Sequence, residues 1–525
     1  MPVKLRICFW ETVMPPAVKP TQQQIEALAQ RAQQLFSRGE PHLAIQTLAP
    51  VFPFLQKLPR VLQIYARATD RIGQHERSVE IFKTICKQLP SDPDLRLEYA
   101  IALAHVGRFV AALEQVRRVR EQRPAHAQSV IAEAEFLMDL NRQSEALEIL
   151  DRYEREQAPA DLELRDRAHL CSTRSRLVPK HIPPEAVVRD LVGYADNPEV
   201  RGKIRGVIAS RAARLLDLMG EFDEAMRMTA LSKEIRGVPW DPIAYSAKTD
   251  AMIRAWTAPE AAALPRAKVD GSGVIFVLGM PRSGSSLLEQ MLGRHPAFQP
   301  MGECNDIVLA AGDIHTPPPR EMPMVYALGR MTPAFVQEVA ERTLSRILPR
   351  LDKGRSVLID KQPINFLYIP LIARLLPGAK ILHTVRDGRD TCLSYYMQWF
   401  NGPHGQSNSM DTLGRYYADY RRTMDAWRSL PAPEQRPEML DVRYEELVAD
   451  PERVMRGVMG FLGFEFDPVV LDDSASDRVV ATASRDQVKS SIYTSSVAKW
   501  KHYAKHLAPF LRHAGAYFAS QDQGA

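Results

Sequence analysis

Long apolar runs are missing from this chain of 525 residues. No stretch approaches the roughly 20 apolar residues that a membrane-spanning helix needs. The first twenty residues also lack the basic segment and the continuous apolar stretch of a signal peptide. The sequence therefore predicts a cytoplasmic protein without a transmembrane segment.

Cysteine is scarce, and the cysteines form no CxxC pair. The five are Cys8, Cys86, Cys171, Cys304 and Cys392. This pattern excludes a zinc ribbon and a disulfide framework, and it favours free thiols in a reducing compartment. The thirteen histidines show no HExxH or other metal-ligand spacing, so we expect no metal. We expect His295 and His383 to be structural, and His502 and His506 to share a solvated helix face.

A large excess of one charge is also missing, since 68 basic side chains accompany 63 acidic ones and the net charge is +5. That excess does not require a nucleic-acid partner. The composition, 45% hydrophobic and 25% charged, excludes a chain that is mostly disordered, collagen-like or a coiled-coil rod. At about 150 residues per domain, the length suggests three or four domains, or one domain with a repeat array.

The first half of the chain repeats itself every 34 residues. Small turn residues recur at Gly39, Gly73, Gly107 and Asn141. Seven positions earlier stand Ala32, Ala66, Ala100 and Ala134, and five positions later stand Ala44, Ser78, Ala112 and Ala146. Small side chains at fixed offsets allow two helices to approach closely, and Pro90 and Pro124 are placed to end the second helix of successive units. This period is typical of a helix–turn–helix repeat.

These residues resemble the tetratricopeptide repeat over roughly 24–158, with a further, displaced unit around Ala213, Gly220 and Ala225. The array is either a structural superhelix or a concave surface that binds proteins or peptides. Proline and glycine mark a linker over 237–272. We therefore predict an N-terminal extension over 1–23, a helical array over 24–236, the linker, and a catalytic domain over 273–525.

An anion-binding loop opens that last domain. The apolar run Val274–Leu278 predicts a buried parallel strand, and the loop Gly279–Ser286 connects this strand to a predicted helix. Strand, glycine-rich loop and helix together direct backbone N–H groups at a phosphate. A nucleoside triphosphatase needs a lysine where this chain has Ser285, so the loop favours that class of protein less. An ordinary strand–turn–helix without a bound anion is the other alternative.

A second strand, over 379–385, ends at Arg386, and a helix carrying Ser394 follows. The two side chains are placed to meet on one anion. Alternatively, Arg386 and Asp387 form a structural pair.

With these motifs the chain resembles the sulfotransferases, and the tyrosylprotein sulfotransferases in particular, over about 272–510. The resemblance implies an α/β P-loop-like sulfotransferase domain with a parallel sheet, preceded by the all-α tetratricopeptide superhelix. It also implies that 3′-phosphoadenosine 5′-phosphosulfate is the cosubstrate and that no metal takes part. The implied nucleotide-binding residues are Arg282, Ser283, Gly284, Ser285 and Ser286 at the phosphosulfate, Arg386 and Ser394 at the 3′-phosphate, Tyr444 near the adenine, and Lys499.

Three catalytic residues follow from the same resemblance. Glu303 is the implied base for the acceptor hydroxyl, and Lys361, assisted by Ser484, stabilises the leaving group. Without the resemblance, Glu303 could simply cap a turn at the surface, and Lys361 could pair with Asp360.

The departures from the family concern the acceptor. Asn305 and Leu309 replace two arginines that bind acidic peptides in the tyrosylprotein enzymes, and the family's disulfides and membrane anchor have no counterpart here. The loop over 401–409 is either an acceptor-side lid or a plain surface loop.

The sequence as a whole predicts sulfuryl transfer to a hydroxyl by in-line displacement. A protein or peptide tyrosine is the leading acceptor, and a carbohydrate or lipid hydroxyl is the alternative. A P-loop kinase and a repeat scaffold with an inactive transferase domain are rivals from other classes. We expect the array to dock the acceptor protein, and we leave a homodimer open.

Overall fold

The computed structural model describes residues 20–157, 162–314, 324–400, 402–472 and 496–518. The chain divides into two compact units, Met1–Val187 and Val188–Ala525. The division after residue 187 places the displaced repeat in the second unit. The boundaries predicted at 236 and 272 stay predictions.

The first unit is built from paired helices. Its α-helices are α1 Gln22–Ser37, α2 Pro41–Leu48, α3 Pro59–Arg71, α4 His75–Gln88, α5 Pro93–His105, α6 Phe109–Gln122, α7 Ala127–Asp139, α8 Gln143–Glu156 and α9 Leu164–Arg174. Consecutive helices of α1 to α8 pack on one another. The tetratricopeptide-like array that the sequence predicts is confirmed.

The repeat residues occupy the helix contacts for which they were singled out. All eight small residues on either side of the turns are fully buried, as expected where two helices approach closely. The four turn residues have φ between 61° and 83°, and Asn141 is the one non-glycine among them. Asparagine tolerates this left-handed conformation better than most side chains. Helices α4 and α6 each end two residues before the proline predicted to stop them.

The second unit combines helices with one sheet. Its α-helices begin with α10 Glu185–Asp196, which crosses the division, and continue as α11 Lys203–Leu218, α12 Phe222–Arg236, α13 Pro242–Thr257, α14 Ser285–Gly293, α15 Asp306–Ile314, α16 Pro333–Ile347, α17 Ile369–Leu375, α18 Gly388–Met397, α19 Met410–Ser429, α20 Tyr444–Ala449, α21 Pro451–Leu462 and α22 Ala508–Ala514. The displaced repeat is the pair α11 and α12, in which Ala213 and Ala225 are buried.

The sheet is parallel throughout and has the order β2-β3-β1-β4-β5. Its strands are β1 Val274–Gly279, β2 Phe298–Pro300, β3 Val357–Lys361, β4 Lys380–Val385 and β5 Glu438–Arg443. Every residue of β1 is buried, as expected of a central strand that is covered on both faces. The predicted α/β fold with a parallel sheet is confirmed.

One apolar core fixes the helices that carry the site. Ile275 and Val277 of β1 pack with Leu288 and Met291 of α14 and with Met459 of α21 on one face of the sheet. Because side chains alternate along a strand, the neighbouring residues of β1 face the opposite side. Among the described residues, no helix combines the length and the apolar character needed to cross a membrane.

Candidate active site

Predicted site residues end or follow each of the five strands, and they therefore lie at one edge of the sheet. In a parallel sheet all carboxyl ends lie on the same side, and ligands bind in the crevice outside them. Loop 280–284 follows β1, Glu303 lies three residues after β2, and Lys361 ends β3. Arg386 follows β4 directly, and Tyr444 follows β5 directly.

The loop after β1 has the shape of an anion cradle. Arg282 has a φ of 75° and Gly284 a φ of 102°, and a non-glycine residue in this region stores strain that is typical of functional loops. A Cβ on Gly284 would lie 2.5 Å from Cδ2 of Tyr444, so glycine is what lets the ring pack on the loop. Ser283 Oγ lies 2.6 Å from Thr384 Oγ1 on β4. The first-turn N–H groups of α14, at Ser285 and Ser286, have no acceptor within their helix.

Arg386 is a buried cation beside that loop. Its side chain is 8% exposed, and it donates to the backbone oxygens of Arg282 (3.2 Å) and Ser496 (2.6 Å). Its Nε is buried and has no hydrogen-bond partner among the described residues. The guanidinium also lies 4.8 Å from the centre of the Tyr444 ring. A buried N–H of this kind fits an anionic ligand.

The alternative pairing of Arg386 with Asp387 is not what the structure contains. Asp387 bonds to Arg389, with Nη2 and Oδ2 separated by 2.8 Å, and its side chain caps α18. The nearest carboxylate to Arg386 is Asp390 at 3.9 Å. The sequence also predicts that Arg386 and Ser394 meet on one anion. In the structure Ser394 contacts the loop residue Arg282, whose Nε donates to Ser394 Oγ at 3.1 Å.

The C-terminal segment from residue 496 covers this part of the site. Tyr444 Oη lies 2.7 Å from Ser496 Oγ. Asp390 accepts hydrogen bonds from the backbone N–H groups of Ala498 (2.7 Å) and Trp500 (2.8 Å). Burial raises the pKa of the Asp390 carboxyl, although these two bonds and Arg386 oppose the rise. The covering segment is therefore attached to α18 through one carboxylate.

A cavity of about 360 Å³ lies beneath this segment. Ser283, Thr384, Arg386 and Trp500 are among the residues that line it. Lys499 is not in the lining, because its ammonium group donates to Asp217 of α11. Its predicted contact with the nucleotide stays a prediction. Ser484 lies outside the described residues.

The cavity reaches down to His383 on β4. This histidine is 2% exposed, with Nδ1 2.7 Å from Asp441 and Nε2 2.5 Å from the Tyr420 hydroxyl. Burial lowers the pKa of His383, although the hydrogen bond to Asp441 opposes the shift. Both ring nitrogens are occupied, as in the structural role predicted for it.

On the other side of β1, Lys361 and Glu303 form an ion pair. Lys361 Nζ donates to Glu303 Oε1 at 2.9 Å and lies 3.9 Å from Glu289 Oε2. The lysine side chain is fully buried, whereas that of Glu303 is 48% exposed. Burial raises the pKa of Glu289, although Lys361 opposes the rise. The pair thus joins a buried cation to a carboxylate that an acceptor can reach.

The alternative pairing of Lys361 with Asp360 is absent, since neighbouring residues of a strand point to opposite faces. Asp360 is fully buried, and neither carboxylate oxygen meets a hydrogen-bond partner within the described part of the chain. Burial raises the pKa of Asp360 well above its usual value. This carboxyl is therefore held away from the predicted site.

The loop predicted as a lid or surface loop is packed over 402–409. Lys233 of α12 donates to Ser407 Oγ at 3.4 Å, and Asn408 donates to the backbone oxygen of Val238 at 2.6 Å. Burial and Arg236 lower the pKa of His404 to about 4, although the nearby charge of Glu303 opposes the shift. The loop therefore brings His404 into the electrostatic neighbourhood of Glu303.

Lys233 and Arg236 were not singled out by the sequence, whereas His404 lies in the loop over 401–409 that was. Burial and the charge of Arg236 lower the pKa of Lys233 to about 7. Arg236 also bonds to Asn408, with Nη2 and Oδ1 separated by 3.2 Å. No local motif marks either cation, because each meets its partners only after α12 has packed beside the sheet.

Comparison with known proteins finds similarity to one family over the region that contains the sheet. The profile of the Sulfotransferase family matches residues 274–468. An uncharacterized protein of Aquifex aeolicus (strain VF5) is 27% identical over 440 residues, which make up 77% of this chain and 56% of that relative. Protein-tyrosine sulfotransferase 1 of Danio rerio is 26% identical over 245 residues, 43% of this chain and 65% of the relative. The chain thus spans less than two thirds of the length of both relatives.

Among solved structures, the sulfotransferase domain from the Synechococcus PCC 7002 olefin synthase is 23% identical to this chain. The match covers 48% of this chain and 98% of that domain, with a TM-score of 0.35.

Proposed function

We propose that this chain transfers a sulfuryl group from 3′-phosphoadenosine 5′-phosphosulfate to an acceptor hydroxyl, because residues 274–468 match the profile of the Sulfotransferase family. The leading acceptor is a protein or peptide tyrosine. One observation carries the proposal: the loop after β1, the buried Arg386 and the Lys361–Glu303 pair all lie at the same sheet edge.

The residues on the donor side fit a nucleotide with phosphates at both ends. Loop 282–286 offers the N–H groups of a helix N-terminus and three serine hydroxyls, which suit the 5′-phosphosulfate. Arg386 has a buried N–H without a hydrogen-bond partner among the described residues and, with Ser394, suits the 3′-phosphate. The rings of Tyr444 and Trp500 lie nearby and offer apolar surface to the adenine.

Glu303 and Lys361 have different roles in the proposed reaction, as the base and as the electrostatic stabiliser of the leaving group. The bound donor supplies an electrophilic sulfur and a nucleotide leaving group. Glu303 accepts the proton of the acceptor hydroxyl while the new O–S bond forms and the bridging O–S bond breaks. Lys361 stabilises the negative charge that develops on the bridging oxygen. The ion pair keeps Glu303 next to Lys361, so base and electrostatic stabiliser are positioned together.

The tyrosine acceptor rests on the relatives named protein-tyrosine sulfotransferases, one of which is 26% identical over 43% of this chain. Leu309 limits the analogy: it stands where the family has arginine, and it is 54% exposed. An exposed apolar residue at that place favours an acceptor without acidic flanking residues. A carbohydrate or lipid hydroxyl is the second candidate for this reason.

The helical array completes the proposal as a docking module for the acceptor protein. Val110 on α6 is 72% exposed and Ile101 on α5 is 40% exposed. Arrays of stacked helical repeats offer extended concave surfaces of the kind that bind proteins or peptides.

Calorimetric titration tests the donor. 3′-phosphoadenosine 5′-phosphate and ATP are titrated into the full chain with and without Mg²⁺. We expect the first ligand to bind more tightly and independently of Mg²⁺, because Ser285 replaces the lysine that a kinase loop needs. Tighter, Mg²⁺-dependent binding of ATP would instead establish the kinase.

Incubation with ³⁵S-labelled donor and a cell lysate tests the acceptor. Label in protein tyrosine supports the leading proposal, and label in glycan or lipid supports the second. A chain that binds the donor but transfers no label to any of these fractions would be a scaffold.

A further inference from the structure

Three helices of the first unit bring one carboxylate and two imidazoles together. Asp70 lies in the last turn of α3, His75 begins α4, and His105 ends α5. His75 Nδ1 lies 2.9 Å from Asp70 Oδ1. His105 Nδ1 lies 3.0 Å from both oxygens of Asp70. The ligand atoms of all three residues fall within 4.8 Å of one another.

We propose that Asp70, His75 and His105 form a binding site for a divalent transition-metal ion of the Zn²⁺ type. Imidazole nitrogen and carboxylate oxygen are ligands that Zn²⁺ takes in proteins. With metal–ligand bonds of about 2.0–2.1 Å, tetrahedral ligands are separated by roughly 3.3 Å. The two imidazole–carboxylate separations, 2.9 and 3.0 Å, are a few tenths of an ångström shorter, and all ligand atoms lie within 4.8 Å of one another, so side-chain rotations admit the ion.

The charge of the cluster favours a cation. No arginine or lysine in the described part of the chain lies within 4 Å of the Asp70 carboxylate, whose ion-pair partners are the two histidines. Arg108, which follows shortly after His105, pairs instead with Glu76 at 2.9 Å. With both imidazoles neutral, as coordination requires, the three side chains carry one negative charge.

The cluster is open to solvent on one side. The side chains of His75 and His105 are 37% and 43% exposed, and that of Asp70 is 21% exposed. Three protein ligands leave a tetrahedral ion one position for water or an external ligand. The ion therefore has a route to the site and keeps an exchangeable position.

The repeat itself does not require these residues. The positions one 34-residue period later are occupied by Ala104, Phe109 and Asp139, and the same helix pairing forms there. The three residues come together where α5 of one helical repeat packs on α4 of the preceding repeat. A bound ion would therefore link neighbouring repeats. Binding to the folded array but not to the unfolded chain raises its stability.

The test is titration of ZnCl₂ into the chelator-treated full chain, followed by calorimetry and by the thermal midpoint. We expect one ion per chain and a rise in the midpoint. Asp70→Asn and His105→Ala should each weaken binding by at least about 10-fold. His42→Ala, which removes an exposed histidine of α2 from outside the cluster, should bind as the wild type does.

Two results would overturn the proposal: no saturable binding to the wild type, or equal binding by the wild type and His105→Ala. If circular dichroism shows that a variant misfolds, the absorption spectrum of the wild type with Co²⁺ decides. Visible bands without a thiolate charge-transfer band support imidazole and carboxylate ligands. A thiolate band places the ion at a cysteine and contradicts the proposal.

Discussion

Lys361 is completely buried, and its ammonium group donates a 2.9 Å hydrogen bond to Glu303, a carboxylate that remains about half exposed. Lys361 ends β3 and Glu303 follows the neighbouring strand β2, and the two residues meet because those strands are parallel. Removing a buried cation from water costs several kcal/mol unless it is paired. The lysine therefore keeps the glutamate close, and the exposure of Glu303 leaves its carboxylate accessible to an acceptor.

Glu303→Gln should retain nucleotide binding and lose turnover. The amide keeps the shape of the side chain but does not accept the proton, so we expect the rate to fall by about 10²- to 10⁴-fold. Single-turnover transfer of ³⁵S measures the rate, and titration with 3′-phosphoadenosine 5′-phosphate checks binding. Glu338→Gln on α16, where the glutamate is 68% exposed, is the matched control. Full activity in the Glu303 variant would remove this residue as the base.

Arg386→Ala should weaken binding of the 3′-phosphorylated nucleotide. Hydrogen bonds to charged groups contribute about 1.5–3 kcal/mol, which corresponds to roughly 10- to 150-fold in affinity. Adenosine 5′-phosphosulfate lacks the 3′-phosphate, so its affinity should change little in the same variant. Arg456→Ala, at a 57% exposed position on α21, controls for the loss of positive charge. An equal loss for both nucleotides would show that Arg386 does not bind the 3′-phosphate.

Gly284→Ala should destabilise the protein and weaken nucleotide binding. The new Cβ would lie 2.5 Å from the Tyr444 ring in a backbone with φ of 102°, and such strain costs about 1–3 kcal/mol. Gly457→Ala is the opposite case, because it lies within α21 and a Cβ there meets nothing within 4 Å. That control should stabilise the helix by about 0.5–1 kcal/mol. Thermal midpoints of the two variants that shift in the same direction would contradict the expectation.

The repeat and the loop after β1 could be predicted because their signals are local. Burial at Ala66 and the turn at Gly73 follow from small residues repeated at one period. The loop before α14 follows from glycines directly after an apolar strand. Lys233 is different: its partner Gln398 is 165 residues away, and nothing near either residue indicates the contact.

Lys499 illustrates the limit of motif matching. Its neighbours Ala498 and Trp500 line the cavity. The ammonium group itself bonds to Asp217, 282 residues earlier in the chain. A motif predicts where a segment runs, whereas the partner of a long flexible cation depends on which carboxylates the tertiary fold brings near.

The buried Lys233 should make stability depend on pH. Its pKa in the folded protein is lowered to about 7, so the unfolded chain holds more protons between pH 7 and the ordinary lysine value of about 10.4. Stability therefore rises with pH across that window, by at most about 1.4 kcal/mol per unit. Lys233→Met removes this pH dependence of stability. The variant should therefore be more stable than the wild type by the largest margin below pH 7, and the difference should shrink toward pH 10.

Thermal midpoints of the two proteins from pH 6 to pH 9 check this. The control Lys505→Met, at a 66% exposed position, should show the same change of thermal midpoint with pH as the wild type. A gap between Lys233→Met and the wild type that stays constant with pH would show that Lys233 remains charged throughout.

Leu309→Arg tests which acceptor the site prefers. The side chain is 54% exposed at the start of α15, so arginine fits there without burying a charge, and it restores the residue type of the tyrosylprotein enzymes. An exposed ion pair contributes about 0.2–1 kcal/mol, so kcat/KM for a tyrosine peptide with acidic flanks should rise by about 1.4- to 5-fold. The gain should fade at high salt, because exposed charges are screened. Leu309→Gln controls for lost apolar surface, and a neutral tyrosine peptide should show no gain. An equal gain for both peptides would mean that Leu309 does not face the acceptor.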